Sequence, residues 1–348
     1  MLQSPGSWGL GIWEAHFSRF WFPTLLAADE LGILPSLADE PGTVDDLSER
    51  LSLNPRALGA VLPMLASLGY LVTRGGRYHI TDDARDFLLP GGPFYWGGLF
   101  ESQRRDYPMA ERLKLRLTTA DPKGAIPEPV ERSNPNQSSS DSWASGDISL
   151  ESARSSARYM QSVSAAVAIG LAKDRGFASS RRLLDIGGGS GCFSIALAQR
   201  HPNLRCTVLD LPTACQVALE YVKAAGMDER VDTIALDMFR QAWPDGYDAI
   251  LFSNVLHDWR FETCAVLLRR AFEALPSGGT INVHELLLDD DGSGPRFAAS
   301  LSVMMVLGQQ GQQFTFKQLE SILGEAGFVD VEFHATSELH SLVRGHKP

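Results

Sequence analysis

Residues 183–197 read LLDIGGGSGCFSIAL, with glycines placed between two apolar runs. The first run is expected to be a strand that ends at Asp185, and the second resumes as a helix. In open α/β sheets, ligands bind at the carboxyl ends of the strands, which is where this loop would lie. Because glycine lets a backbone approach something bulky, the run indicates a ligand loop. A tight strand-to-helix turn without a ligand is the alternative.

From Arg182 onward, short β-rich runs alternate with helical segments. The runs are RRLLDIG, RCTVLDL, VDTIALD, DAILFSN and GTINVHEL. Strands that alternate with helices predict an α/β fold with a doubly wound, mainly parallel sheet that is covered on both faces. The tail FVDVEFHATSELHSLVRGHK predicts a final antiparallel pair of strands at the sheet edge.

The N-terminal part has a winged-helix pattern, in which a helix, a turn and a second helix precede a hairpin. Thr43 with Asp46 predicts a capped helix start, Asn54-Pro55 opens the second helix, and Arg74-Gly75-Gly76 forms the hairpin turn. A winged helix could bind DNA, but the second helix carries Arg56 as its single cation. The net charge of −11 would also repel phosphate. We therefore expect no nucleic-acid partner, and expect this helix to pack against another helix or a second subunit.

Composition divides the chain into three parts. Residues 118–150 are rich in Pro, Ser, Asn and Gly, which is typical of a linker or loop. The prediction is a helical and winged-helix domain over 1–117, this linker, and an α/β domain over 151–348. No apolar run of membrane-spanning length and no signal-peptide pattern is found, which predicts a cytoplasmic protein without a membrane partner. The cysteines (Cys192, Cys206, Cys215, Cys264) lack zinc-site spacing and are expected to be reduced.

Two further acids follow the next predicted strands. Asp210 ends TVLD, where a carboxylate can accept hydrogen bonds from both hydroxyls of a ribose, and Asp237 follows the third strand. A dinucleotide would need the spacing Gly-x-Gly-x-x-Gly. Here Cys192 and Phe193 follow Gly191, so the dinucleotide pattern matches poorly.

In these features the chain resembles the class I S-adenosylmethionine (SAM)-dependent methyltransferases, whose first strand ends in an acid before a Gly-x-Gly-x-Gly loop. The resemblance implies that the loop lies beside the methionine part of SAM, the second acid holds the ribose and the third faces the adenine. The implied residues are Asp185, Gly187, Gly189 and Gly191 for the loop, Asp210 and Leu211 for the ribose, and Asp237 and Met238 for the adenine.

Histidines and carboxylates are expected at the same edge. His257 and Asp258 follow the fourth strand, and His284 and Glu285 end the fifth. An imidazole can take a proton from a hydroxyl that attacks a methyl sulfonium, and a neighbouring carboxylate fixes its orientation. Since neighbouring strand residues face opposite sides, one of His284 and Glu285 faces the site. The predicted catalytic set is His257, Asp258 and Glu285.

The His-Asp-Trp tripeptide at 257–259 and the sequence Glu-Ala-Gly-Phe at 325–328 also resemble the small-molecule O-methyltransferases of plants and of bacterial secondary metabolism. This resemblance implies that His257 is the general base, that Glu285 is the acid of strand five, and that the protein is a homodimer. It also implies that the acceptor contacts Met160, Met304 and Gln309. Ser253 stands near the place of a SAM-contacting lysine in the plant enzymes and is assigned to the cofactor. Gln309, Gln310, Gln312 and Gln313 favour a polar acceptor.

Two alternatives stay open at this point. Some bacterial relatives methylate the β-carbon of α-keto acids and hold a divalent metal or iron near the His-Asp pair. In this chain, His257 and Asp258 with Gln309 or His284 would be the ligands, and the metal would stabilise an enolate. The other alternative is a regulator that binds SAM, or acts through its winged helix, without catalysis.

Overall fold

A computed structural model describes residues 8–91, 94–103, 107–121 and 148–348. Its contacts divide the chain into two units. The helical unit holds the described part of Gly9–Lys123 together with Leu287–Thr315, and the sheet unit holds Trp8, the described part of Gly124–Leu286 and Phe316–Pro348. Most of the predicted linker, residues 122–147, lies outside the described residues.

The helical unit contains the predicted winged-helix elements. The capping box is confirmed, since Asp46 N donates to Thr43 Oγ1 at 3.2 Å and Thr43 N donates to Asp46 Oδ2 at 2.8 Å. The hairpin joins β1 (Leu71–Arg74) and β2 (Arg77–Ile80) through glycines with φ of 58° and 76°. The described helices are Leu10–Ser18, Trp21–Glu30, Ile33–Asp39, Val44–Leu51, Pro55–Ser67, Asp82–Leu88, Gly97–Gln103, Pro108–Thr118 and Arg296–Gly308.

The helix Pro55–Ser67 packs against Arg296–Gly308 within this unit. Leu58 and Leu62 of this helix are fully buried, and Ser300 Oγ lies 3.4 Å from Met64 Sδ. The second winged-helix helix is therefore covered by another helix of the same chain. The predicted single boundary near residue 150 does not describe Leu287–Thr315, because the helix in this segment buries its apolar face in the helical unit.

The sheet unit is built on one seven-stranded sheet. Its strands are β3 (Arg182–Ile186), β4 (Arg205–Asp210), β5 (Val231–Ala235), β6 (Ala249–Ser253), β7 (Thr280–Glu285), β8 (Val329–Ala335) and β9 (Ser341–His346). Their order in the sheet is β5-β4-β3-β6-β7-β9-β8. The first five strands in this order are parallel, while β9 runs antiparallel to both β7 and β8. The predicted mainly parallel sheet with a terminal antiparallel pair is confirmed.

Helices connect these strands and bury apolar residues against the sheet. The α-helices are Leu150–Ala172, Cys192–Arg200, Pro212–Ala224, Phe261–Ala274 and Phe316–Glu325, and the two short 3₁₀ helices are Arg175–Ala178 and Leu256–Asp258. Across both units, no described helix combines the length and apolar character needed to cross a membrane.

Candidate active site

The carboxyl ends of four neighbouring strands place the predicted site residues at one edge of the sheet. Asp185 near the end of β3 is paired with Val208 of β4 and Leu251 of β6, and Ser253 of β6 is paired with His284 of β7. Asp210 ends β4 and Glu285 ends β7. The sheet register therefore assembles the acids and the glycine loop that the sequence predicts.

The glycines of the loop serve three different physical needs. Gly187, Gly189 and Gly191 have φ of 67°, 56° and 73°, a backbone region that L side chains rarely adopt. Gly188 gives room for Asp185, because an added Cβ would lie 2.7 Å from the carboxyl carbon. At Gly189 an added Cβ would meet nothing within 4 Å, so open space adjoins the main chain there. This space is where a cofactor can lie directly on the backbone.

Two carboxylates, the buried Asp185 and the half-buried Asp210, flank the loop. Asp185 Oδ2 accepts a hydrogen bond from Ser194 Oγ at 2.7 Å, whereas its Oδ1 has no partner among the described residues. Burial raises the pKa of Asp185 to about 7. Asp210 accepts from Gly189 N at 2.9 Å and from Leu211 N at 2.7 Å. Burial raises the pKa of Asp210 to about 6, although these two N–H groups lower it.

Asp237 and Met238 follow β5 in a locally bonded turn. Asp237 Oδ1 accepts from Phe239 N at 2.8 Å, and its Oδ2 pairs with Arg240 Nη1 at 2.7 Å. The Met238 carbonyl accepts from Trp243 Nε1 at 3.0 Å. The carboxylate of Asp237 is thus occupied by its own turn, and its contact with an adenine stays a prediction.

His257 lies in the 3₁₀ turn Leu256–Asp258, directly after β6, and Glu285 holds it there. Its Nδ1 is 2.6 Å from Glu285 Oε2. The other oxygen, Oε1, accepts from the backbone N–H groups of Val255 and Leu256 at 3.2 and 3.1 Å. Glu285 is fully buried, so one carboxylate fixes both the histidine ring and the turn that carries it. Of the two residues that end β7, Glu285 is therefore the one that meets His257.

The charges around His257 favour its protonated form. Burial lowers the pKa of His257, but the nearby Glu285 carboxylate, its hydrogen bond and Asp258 outweigh burial and raise the pKa to about 9. Asp258 Oδ1 lies 3.6 Å from His257 Nε2, which is longer than a hydrogen bond. Burial raises the pKa of Asp258 to about 6, while His257 lowers it. At neutral pH the histidine and Glu285 form a buried ion pair.

His284 is not arranged as a metal ligand. Its Nδ1 contacts Ser253 Oγ at 2.8 Å, and its Nε2 contacts Thr336 Oγ1 at 2.9 Å, so both ring nitrogens are engaged. Gln309, the other predicted ligand, belongs to the helical unit. Within the described ranges, no group of three or more His, Cys, Asp or Glu residues could hold a metal ion. With both ring nitrogens of His284 engaged, the described residues do not support the predicted metal.

The predicted acceptor residues are distributed over both units. Met160 is half-buried on Leu150–Ala172 in the sheet unit, whereas Met304 and Gln309 lie in the helical unit. Met304 Sδ is 3.9 Å from Arg19 Nη2. Gln309 Oε1 is buried, and no donor reaches it from the described residues. Contact of these three residues with an acceptor stays a prediction.

Sequence reasoning missed several polar groups at this edge. Ser190 Oγ contacts Gln161 Oε1 at 3.2 Å, which connects the glycine loop to Leu150–Ala172. Asn254 has a left-handed φ of 54°, and its Oδ1 is 3.2 Å from Nε2 of the buried His340. The position of His340 between two strands of an edge hairpin was the available signal. Its distance from residue 254 along the chain hid the contact.

One edge of the mainly parallel sheet carries a glycine loop, a carboxylate at the position predicted to bind a ribose, and a buried His–Glu pair. These features define a Rossmann-like enzyme that binds a nucleoside-bearing cofactor. A family profile described as the O-methyltransferase domain matches residues 140–329. The chain is 34% identical over 322 residues to 3-hydroxy-5-methyl-1-naphthoate 3-O-methyltransferase of Streptomyces sahachiroi, covering 92% of this chain and 88% of that protein.

Solved structures show the same architecture. An O-methyltransferase family 2 protein of Planctomyces limnophilus, in complex with apigenin, aligns with a TM-score of 0.84 and 27% identity over 100% of this chain and 98% of that chain. PigF with SAH aligns with a TM-score of 0.57 and 26% identity, over 97% and 99% of the two chains. The chain belongs to the O-methyltransferase family and is a SAM-dependent methyltransferase.

Proposed function

We propose that this enzyme methylates a hydroxyl oxygen of a small hydroxylated aromatic acid, with His257 as the general base. The observation that carries the proposal is the 2.6 Å contact between His257 Nδ1 and Glu285 Oε2 at the end of β7. A carboxylate at this position assigns the ring proton to Nδ1 in the neutral imidazole. The lone pair is then on Nε2, which is the atom a base uses.

The residues of the loop fit SAM. The open space beside Gly189 receives a ligand on the bare main chain, and the carboxylate of Asp210 lies next to it through the Gly189 N–H. Asp185, with one unpartnered buried oxygen in the described chain, offers a further acceptor. When bound, SAM supplies a methyl group activated by a positively charged sulfur. The protein contributes orientation, exclusion of water and removal of the acceptor proton.

The proton step follows from the His257 geometry. With SAM bound, the acceptor hydroxyl would give its proton to His257 Nε2 while its oxygen took the methyl group, and S-adenosylhomocysteine would be the leaving group. The resulting imidazolium is stabilised by Glu285 through Nδ1, and Asp258 adds negative charge 3.6 Å from Nε2. His257 must be neutral before it can accept this proton. Its raised pKa makes the neutral imidazole a strong base, and the fraction of His257 in this neutral form increases at alkaline pH.

The acceptor class rests on two lines of support. The Streptomyces sahachiroi relative is named for a hydroxylated naphthoate, and the Planctomyces structure holds apigenin. C-methylation of an α-keto acid through a metal receives no such support, because His284 is engaged elsewhere.

We also propose a cytoplasmic homodimer that assembles through the helical unit. This unit exposes large apolar side chains, namely Ile12 at 79%, Phe94 at 62% and Trp96 at 51%. Exposed apolar surface of this kind is typical of an association site. Light scattering during size-exclusion chromatography should give the mass of two chains. A single-chain mass at micromolar concentration would contradict the dimer.

The activity is tested with purified protein, SAM and a panel of hydroxynaphthoic and hydroxybenzoic acids, together with their O-methyl ethers and an α-keto acid. Release of S-adenosylhomocysteine is measured, and the product is located by mass spectrometry. Turnover of a free phenol but not of its ether supports O-methylation. Turnover of the keto acid alone, with a stoichiometric metal found by elemental analysis, would replace the proposal with C-methylation.

A further inference from the structure

The end of β6 is tied to the loop that joins β8 and β9 by a closed set of hydrogen bonds. His284 bridges Ser253 Oγ at 2.8 Å and Thr336 Oγ1 at 2.9 Å. Thr336 Oγ1 donates to the His340 carbonyl at 2.9 Å, and His340 Nε2 is 3.2 Å from Asn254 Oδ1. Asn254 N returns to the His284 carbonyl at 3.0 Å. We call this set of hydrogen bonds the His284–His340 network.

The donor and the acceptor of each hydrogen bond in the His284–His340 network follow from the chemistry of the groups. Thr336 uses its hydroxyl proton on a carbonyl, so His284 Nε2–H donates to Thr336 and His284 Nδ1 accepts from Ser253. Burial and His340 lower the pKa of His284, which agrees with one neutral tautomer. The amide oxygen of Asn254 can only accept, so His340 Nε2–H is the donor. Within the described chain His340 Nδ1 has no hydrogen-bond partner, so the hydrogen bond of this imidazole is the one to Asn254.

Asn254 is the position on which this support acts. Its φ of 54° is a left-handed conformation, which is unfavourable for a non-glycine residue and persists when the surroundings hold it. The next residues, Val255 and Leu256, present their N–H groups to Glu285 Oε1, and His257 follows. The backbone angle at Asn254 therefore sets where the turn meets Glu285.

We propose that His340 is a positioning residue for His257. It is buried in the loop between the last two strands, and it holds the Asn254 amide, which fixes the turn that carries the general base. The C-terminal hairpin thus takes part in catalysis without touching the reacting atoms. This inference rests on the proposed role of His257, but its structural part is tested without an acceptor.

The first test is amide hydrogen exchange of residues 254–258 in the full-length, SAM-free protein. His340→Phe keeps a flat ring and removes the donor, so exchange in this turn should become faster by about tenfold, the effect of one buried hydrogen bond. His340→Gln restores an N–H donor and should return exchange close to that of the wild type. His346→Phe is the matched control, because His346 lies in the same hairpin but outside the His284–His340 network. It should leave the exchange rate of residues 254–258 unchanged.

The second test is kinetic, with the acceptor that turns over. His340→Phe should lower kcat by about tenfold while the SAM dissociation constant stays within about twofold, and His340→Gln should recover most of kcat. Asn254→Gly permits the left-handed φ but removes the amide oxygen, and it should reproduce the effect of His340→Phe even if that variant folds poorly.

Three results would overturn the inference. These are unchanged exchange at 254–258 in both His340→Phe and Asn254→Gly, equal acceleration in His340→Gln and His340→Phe, and acceleration spread evenly over the whole sheet. The exchange measurement succeeds or fails without an acceptor. Its failure is therefore distinct from a failure of the proposed O-methylation.

Discussion

His257 and Glu285 are joined by a contact of 2.6 Å between Nδ1 and Oε2, and the same carboxylate holds the backbone that leads to the histidine. A fully buried acid usually destabilises a fold unless it is paired and hydrogen-bonded. Here it is both, because three backbone N–H groups point at its other oxygen. The pair therefore combines a structural anchor with a fixed tautomer for the base.

Replacing Glu285 with Gln should separate these two roles. The amide keeps the shape but loses the negative charge that fixes the ring and stabilises the imidazolium, so kcat should fall by about 10²–10⁴. SAM affinity, measured by calorimetry, should change by less than about threefold, since the glycine loop is untouched. Glu262→Gln, an exposed carboxylate at the start of the next helix, is the control and should retain full activity. Equal activity of both variants would exclude Glu285 from catalysis.

The pKa of His257 can be measured directly by NMR titration of the SAM-free protein. It should lie near 9, well above the ordinary value of 6.5, and Glu285→Gln should lower it because the largest favourable charge is removed. An unshifted value in the wild type, or no change in the variant, would contradict the ion pair.

The same shift predicts how stability depends on pH. Because the folded pKa is above the unfolded one, the contribution of His257 to the free energy of unfolding is complete below pH 6.5 and is lost as pH rises through about 9. Urea unfolding at pH 6, 7.5 and 9.5 should show wild type losing stability relative to His257→Gln over this window. A difference between the two proteins that stays constant with pH would contradict this.

A substitution at Gly189 can distinguish the effect of backbone strain from the effect of filling the space proposed for the cofactor. Gly189→Ala places a methyl group in the open space, and its φ of 56° adds strain of about 1–2 kcal/mol. Gly226→Ala is a matched control, because Gly226 has φ of 65° and also meets nothing within 4 Å. Both should lower thermal stability to a similar extent, but only Gly189→Ala should weaken SAM binding, by about tenfold or more. Equal SAM affinities would show that the loop does not receive the cofactor.

Asp210 is proposed to bind the ribose of SAM, and its carboxylate also holds the glycine loop through the Gly189 N–H. Asp210→Asn keeps one acceptor oxygen but loses a charge that holds the N–H groups of Gly189 and Leu211, so SAM affinity should fall by about 10–100-fold. Asp232→Asn, an exposed carboxylate on neighbouring β5, should bind SAM as the wild type does. A loss of affinity in both variants would indicate a long-range charge effect instead of a contact.

The sequence allowed most of the sheet and the edge of the site to be predicted, because strand ends and loop glycines are local signals. Asp185, Asp210, His257 and Glu285 lie at the edge of the sheet where the parallel strands end, as expected. The sequence could not show that Leu287–Thr315 belongs to the helical unit, because this depends on which surface covers the apolar face of Arg296–Gly308. His284 was offered as a ligand because sequence cannot show that Ser253 and Thr336 already occupy its ring. His340 was missed because its partner lies 86 positions away.

The role of His257 is tested most directly by pairing SAM titration calorimetry with single-turnover methyl transfer in wild type and His257→Gln. The expected result is SAM affinity within about twofold in the two proteins and a transfer rate that is lower by about 10²–10⁴ in the variant. A variant that transfers the methyl group as fast as the wild type while binding SAM equally well would contradict the assignment of His257 as the general base.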